Sequence, residues 1–153
     1  MNFVWSDYHP GTMGFVETWL DEDAVKSTGL DEGFGSFYDY WSKKEGFTVG
    51  ENFWCKVVSQ NDKPFAVVAF CRHECKILIM ELLIQPEKRG QGNGTKLLAE
   101  FLQSEEFRGC AIEKWEAVIF PDNIASRKAF EKTGFRYHHS HEDGNALYYV
   151  HEG

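Results

Sequence analysis

Ile77-Leu78-Ile79-Met80-Glu81-Leu82-Leu83-Ile84 leads into Arg89-Gly90-Gln91-Gly92-Asn93-Gly94, and Thr95-Lys96-Leu97-Leu98-Ala99-Glu100-Phe101-Leu102 follows. An apolar strand, a turn with alternate glycines and an amphipathic helix together present backbone N–H groups to a phosphate. Glycine removes the Cβ that would hold a ligand away from the backbone. The first-turn N–H groups of the helix have no partner within it, and the positive end of its dipole lies behind them. Arg89 adds a fixed charge on a planar fork of donors. The chain reads as organised around this pyrophosphate cradle. Its G-x-G-x-G spacing departs from the dinucleotide fingerprint G-x-G-x-x-G. Thr95 precedes Lys96, which also breaks the Walker order.

Bulk composition narrows the setting. The chain's 153 residues suit one domain, able to bury about 70% of its unfolded surface. Hydrophobic residues make up 42%, which argues against disorder. No apolar run approaches the roughly 18 residues of a membrane span, and no basic-then-apolar leader opens the chain. The expected location is cytoplasmic, away from membranes. Cys55, Cys71, Cys75 and Cys110 are then expected to be reduced and mostly buried. A net charge of −8 offers no basic face for nucleic acid. Residues 1–54 hold ten acidic residues against three lysines, and more than half of the aromatics. An acidic, aromatic front on an anion-binding back suggests two ligands of different charge. A solubilising surface is the plainer reading.

Taken in order, residues 2–7 read as a strand, and Met13 to Val25 as a helix from Phe15, Val16, Trp19 and Leu20. Phe34 to Lys44 reads as a second helix. Its stripe Phe37, Tyr38, Trp41 suits core packing, with Asp39 and Tyr40 off the stripe and free for a ligand. Phe53–Ser59 and Pro64–Cys71 pair across the turn 60–63, and Lys76–Ile84 extends the meander. The helix after the cradle carries Leu97, Leu98, Phe101 and Leu102 on one face. Phe107–Ile112 reads as a connection. Trp115–Ile119 is a fifth strand, parallel to the fourth because a helix joins them. A helix Ile124–Lys132 ends at Gly134, and Phe135–His141 pairs with Ala146–His151. The fold class is α+β: a mixed, mostly antiparallel sheet of about seven strands flanked by about four helices.

Two segments then resemble one family. Leu82 to Gly94, with Arg89-Gly90-Gln91-Gly92-Asn93-Gly94, resembles motif A of the GNAT N-acetyltransferases, Q/R-x-x-G-x-G/A. Asn123-x-x-Ser126-x-x-x-Phe130-Glu131-Lys132-x-Gly134-Phe135 is similar to their motif B, N-x-x-A-x-x-x-Y-E-K-x-G-F. The resemblance covers Lys76 to Val150 and hardly touches the first 50 residues. It implies one acetyltransferase domain over residues 1–153, with a variable acceptor-binding part over about 1–52 and an acetyl-CoA-binding core over about 53–153. It implies acetyl-CoA as cosubstrate, its pyrophosphate on the N–H groups of Gln91 through Thr95 and its pantetheine along Leu82, Leu83 and Ile84. Asn123 would contact that arm from the other side, and Lys132 would approach the nucleotide. The second half also resembles aminoglycoside acetyltransferases, in the Gly-Gln-Gly-x-Gly-Thr-Lys-Leu run and the Asp-Gly hairpin.

The chemistry adds requirements of its own. Only about one primary amine in a thousand is neutral at pH 7, so the acceptor must lose a proton before it attacks a thioester. Glu81 is the only acid among the apolar residues of the fourth strand, where a buried charge is costly. It is the candidate general base or acceptor-amine anchor, the plainer reading being a solvent-facing or arginine-paired side chain. Backbone N–H groups near Leu83 would polarise the thioester oxygen. Phe130 departs from the motif's tyrosine and cannot protonate the leaving thiolate. The thiolate leaves unprotonated, or Tyr137, Tyr148 or Tyr149 donates, or the chain is a non-catalytic acyl-CoA sensor. Ser126 in place of alanine reads as packing. The acidic front points to a small cationic amine or a peptide amine as acceptor, and a homodimer is compatible with the sequence. Cys71-x-His73-x-Cys75 and the histidines His138, His139, His141 and His151 lack the ligand sets of a metal site, so no metal is expected.

Overall fold

The computed structural model describes residues 3–104, 111–142, 144 and 146–152. Among these residues seven strands form one sheet in the order β1-β2-β3-β4-β5-β7-β6. They are β1 Val4–Asp7, β2 Phe53–Gln60, β3 Lys63–His73, β4 Lys76–Ile84, β5 Lys114–Ile119, β6 Arg136–Ser140 and β7 Leu147–Glu152. Asn61 and Asp62 both take positive φ, 53° and 63°, which matches the right-handed twist of the β2–β3 hairpin. All neighbours are antiparallel except β4 and β5, which run parallel. Their pairing stops at Ile79↔Ala117, although β4 continues to Ile84. Beyond that point the two strands part.

Among the described residues four α-helices cover the sheet: α1 Glu22–Thr28, α2 Phe34–Ser42, α3 Asn93–Gln103 and α4 Ile124–Lys132. Leu97, Leu98 and Phe101 of α3, with Ala129 and Phe130 of α4, pack on one face against Phe70, Ile77, Ile79, Trp115 and Ala117. The N-terminal segment closes the other face. Val16, Trp19, Ala24 and Phe34 lie there on Phe53, Cys55, Val57, Val67 and Ala69.

Residues 13–25 do not form one helix. A 3₁₀ segment, Gly14–Trp19, gives way to α1 because Asp21 is extended and its carboxylate accepts from the Ala24 N–H at 2.9 Å. Phe37, Tyr38 and Trp41 pack on the core, as their spacing requires. Tyr40 is exposed and Asp39 pairs with Lys43 at 2.7 Å. Other elements fall within a few residues of their expected ends. Residues 107–110 of the expected connection, and positions 143 and 145 of the last hairpin, lie outside the described residues. The cysteines are not all reduced: Cys75, in the turn before β4, is disulfide-bonded, while Cys55 and Cys71 are free and buried. No helix among the described residues is long and apolar enough to cross a membrane.

Candidate active site

β4 carries an irregularity where the strands part. Phe70 pairs with Ile79 and Ala69 with Glu81, so Met80 is an extra residue with no partner on β3. A one-residue bulge exchanges the faces of all later side chains. Ile77 and Ile79 lie on the α3–α4 face, and after the bulge Leu82 and Ile84 do so instead. Glu81, opposite Ala69, therefore sits on the face covered by the N-terminal segment. Without the bulge it would point into the helix-covered core.

Glu81 opens on a cleft of about 60 Å³ lined by Met80, Leu82, Val118, Phe120, Asn123 and Phe130 among others. It is half-buried in the wall of this cleft. Its carboxyl makes no hydrogen bond or ion pair with any described residue. Burial pushes its carboxyl up to about 8. A proton acceptor in that range is matched to work near neutral pH.

The cleft adjoins a slot of about 890 Å³, a volume that suits a cofactor. One wall is Leu82, Leu83 and Ile84. The end is Gly90, Gly92, Asn93, Gly94 and Thr95, and the far wall is α4 from Asn123 to Lys132. Gly90 and Gly92 have φ of 71° and 79°, and α3 starts directly after Gly92. The N–H groups of Gln91 to Thr95 find no partner among the described residues and are available to an anion. The Gln91 and Asn93 side chains turn back to the Glu87 and Lys88 carbonyls, at 2.8 and 3.0 Å, and brace the loop. Lys26, Lys88, Lys128 and Lys132 line the slot against only two aspartates, Asp23 and Asp122.

The sequence matches the acetyltransferase (GNAT) family over residues 13–135. The chain belongs to this family. It is thereby an enzyme of the acetyltransferase class. No curated protein matches the sequence. Among solved structures, aminoglycoside acetyltransferase AAC(6')-Ib in complex with paromomycin and acetyl-CoA superposes with a TM-score of 0.77 at 17% identity, over 99% of this chain and 94% of that one. An acetyltransferase from Thermus thermophilus gives 0.77 at 14% identity, covering 100% and 98%. The ribosomal-protein-S18-alanine N-acetyltransferase from Escherichia coli gives 0.67 at 15%, covering 99% and 94%. These likenesses establish the fold.

Several residues of this acetyltransferase stand elsewhere than the sequence suggests. Arg89 borders the slot, but its guanidinium is engaged. It donates to both Asp21 carboxylate oxygens at 3.0 Å, to the Trp19 carbonyl at 2.8 Å and to the Ile84 carbonyl at 2.8 Å. Its charge is matched by Asp21, whose carboxyl is held below its usual range first by the Ala24 N–H and then by Arg89. Arg89 is thus a strut from the cradle to the N-terminal segment, not a free cation for phosphate. Asn123, Ser126 and Phe130 do reach the cleft. Tyr137 and Tyr148 do not, because β5 stands between their hairpin and β4. The Tyr137 hydroxyl shares a hydrogen bond with Ser140 at 2.7 Å, and Tyr148 stacks on His139. Tyr149 is fully buried, donating to Glu131 at 2.8 Å and accepting from Arg127 at 3.2 Å.

Sequence reasoning missed a further wall of the slot, formed by α1. Asp23, Ala24, Lys26, Ser27 and Thr28 of α1 line the slot, and Phe120 of the cleft packs against Gly29. A Cβ on Gly29 would lie 2.9 Å from the Phe120 ring, and its φ is 75°. The signal was present as a capping aspartate at 21 and a terminating glycine at 29, which frame a short helix. Acids of the front are also less free than their number suggests. Asp7 pairs with Lys56, Asp21 with Arg89 and Asp39 with Lys43, while Glu17 accepts from the Phe34 and Gly35 N–H groups at the start of α2.

Proposed function

We propose that this chain moves the acetyl group of acetyl-CoA to a primary amine by direct attack in a ternary complex. The observation that carries this reading is the unpartnered Glu81 carboxyl at the parting of β4 and β5, at the inner end of a slot lined by free N–H groups and lysines. The pyrophosphate would rest on Gln91 through Thr95, with Lys88, Lys128 and Lys132 near the nucleotide. Pantetheine would extend along Leu82 to Ile84 opposite Asn123. Glu81 takes the ammonium proton, or holds the ammonium until water takes it. The acceptor we favour is a small cationic amine. AAC(6')-Ib has been captured with kanamycin and with ribostamycin, and the Glu81 carboxylate would attract a cationic acceptor.

A sensor that binds acyl-CoA without turnover is the second reading, favoured by Phe130 standing in the cleft without a hydroxyl. Titration calorimetry with CoA, and thiol release from acetyl-CoA with kanamycin, ribostamycin, spermidine and an alanine-terminated peptide, separate the two. Binding with turnover on one amine supports transfer. Binding without turnover on any, and no change on Glu81→Gln, favours the sensor. No CoA binding ends both.

A further inference from the structure

The cleft and the slot share a stretch of wall formed by Ser27, Thr28, Leu82, Asn123 and Ser126. A donor lying in the slot with its acyl group toward Glu81 places its sulfur at this stretch. Three hydroxyls stand there. Thr28 Oγ1 donates to the Ala24 carbonyl at 2.7 Å and accepts from the Leu30 N–H at 3.2 Å. Ser27 Oγ donates to the same carbonyl at 3.3 Å. These two serve the backbone of α1, as helical hydroxyls commonly do. Ser126 differs. Its N–H donates to Asn123 Oδ1 at 3.2 Å, but its Oγ has no partner among the described residues. The nearest backward carbonyl, that of Asn123, already accepts from the Arg127 N–H at 3.0 Å. Ser126 also lies in the first turn of α4, where the helix dipole favours negative charge. One turn further on, the same wall carries the Phe130 ring, which has nothing to donate.

We propose that Ser126 Oγ is a catalytic residue that donates a hydrogen bond to the coenzyme sulfur as the thioester breaks. The proposal rests on the acetyl-transfer reading above. The amine lone pair forms the C–N bond at the thioester carbonyl. The C–S bond breaks, and its electron pair stays on sulfur. Glu81 takes the ammonium proton before the attack and passes it to solvent, and the second proton that nitrogen loses as the amide forms goes to water. The coenzyme leaves as a thiolate held by the Ser126 O–H, and takes a proton from water after release. Ser126 does not give up its own proton, because an aliphatic hydroxyl is a far weaker acid than a thiol of pKa about 8.5. A hydroxyl facing a full negative charge is a strong donor without proton transfer.

The test reads the sulfur directly and needs no acceptor. CoA bound to the wild-type protein is titrated, with thiolate followed by its ultraviolet absorbance. The bound thiol is expected to ionise below free CoA. Ser126→Ala is expected to raise its pKa by about one unit, since a hydrogen bond to a charged group is worth that much. Affinity for the protonated thiol should stay within about twofold, because the bond matters only once sulfur is anionic. Ser126→Thr, which keeps a hydroxyl, should titrate like wild type, and Ser126→Ala with Phe130→Tyr should recover part of the shift. A Ser126→Ala complex that titrates like wild type overturns the role of Ser126 and leaves acetyl transfer standing. Failure of wild type to bind CoA removes the reading on which both rest.

Discussion

A carboxyl raised to about 8 by burial has consequences for rate and for stability. As a base, Glu81 works only when ionised, so kcat/KM should rise with pH and level off above about 8. Glu81→Gln should lower kcat on the order of a hundredfold, the low end of what a positioned base contributes. A loss under about threefold, measured by thiol release, would rule out the base. The stability effect has the opposite sense. Below the ordinary value of 4.5, folded and unfolded chains both hold the proton, and Glu81 is neutral to stability. Between 4.5 and about 8 the unfolded chain releases it while the folded chain keeps it, so stability falls as pH rises. Glu81→Gln should therefore stabilise the protein above about pH 8, by on the order of a few kcal/mol and with a higher Tm, and the gain should vanish near pH 4. Thermal melts of the two proteins across pH check this. The sequence exposed Glu81 as the odd residue of its strand. It could not show the face, because nothing in Ile79-Met80-Glu81 marks the bulge, which follows from how β3 and β4 pair.

At the scale of elements, the cradle divides two causes that a single glycine substitution confounds. Gly92 is left-handed at φ 79° with open space where a Cβ would stand, so a substitution meets backbone strain and no clash. Asparagine and aspartate both tolerate that conformation and are nearly the same shape. Only the charge differs. Gly92→Asp should weaken CoA at least about tenfold more than Gly92→Asn does, since one added charge repels the pyrophosphate at short range. Equal losses, measured by calorimetry, would mean that no phosphate lies there. Strand, turn, α3 and the parallel β5 were all legible, because glycine spacing and the apolar period are local properties of the chain. Arg89 was misread for the complementary reason. Its partners Trp19 and Asp21 lie about 70 positions away in sequence, and only the fold brings them together.

That strut matters most at the scale of the molecule. The motifs that resemble the family lie between Lys76 and Val150, which invites a picture of a binding core with a separate acceptor part, although the family match itself begins at residue 13. The packing does not support that division. The front covers one whole face of β2 and β3, and its α1 is a wall of the slot. Of the described contacts between front and cradle, Arg89 holds one of the firmest, with three hydrogen bonds to Asp21 and Trp19 and a fourth anchoring it to β4. Asp21 also caps α1, so the same carboxylate fixes the helix and its attachment. Anything that fills the slot touches both sides of this joint. CoA at about a hundred times its Kd should stabilise the protein by about 2.7 kcal/mol, and part of that gain should reach α1 through Arg89. In hydrogen exchange, the amides of Glu22–Thr28 should gain protection when CoA binds to wild type. In Arg89→Ala they should exchange faster without CoA and gain less with it, while the amides of β2 and β3 stay as protected as before. If α1 in Arg89→Ala responds to CoA as it does in wild type, the strut does not carry the link. The acceptor side would then be organised by the Phe120–Gly29 contact at the top of the cleft.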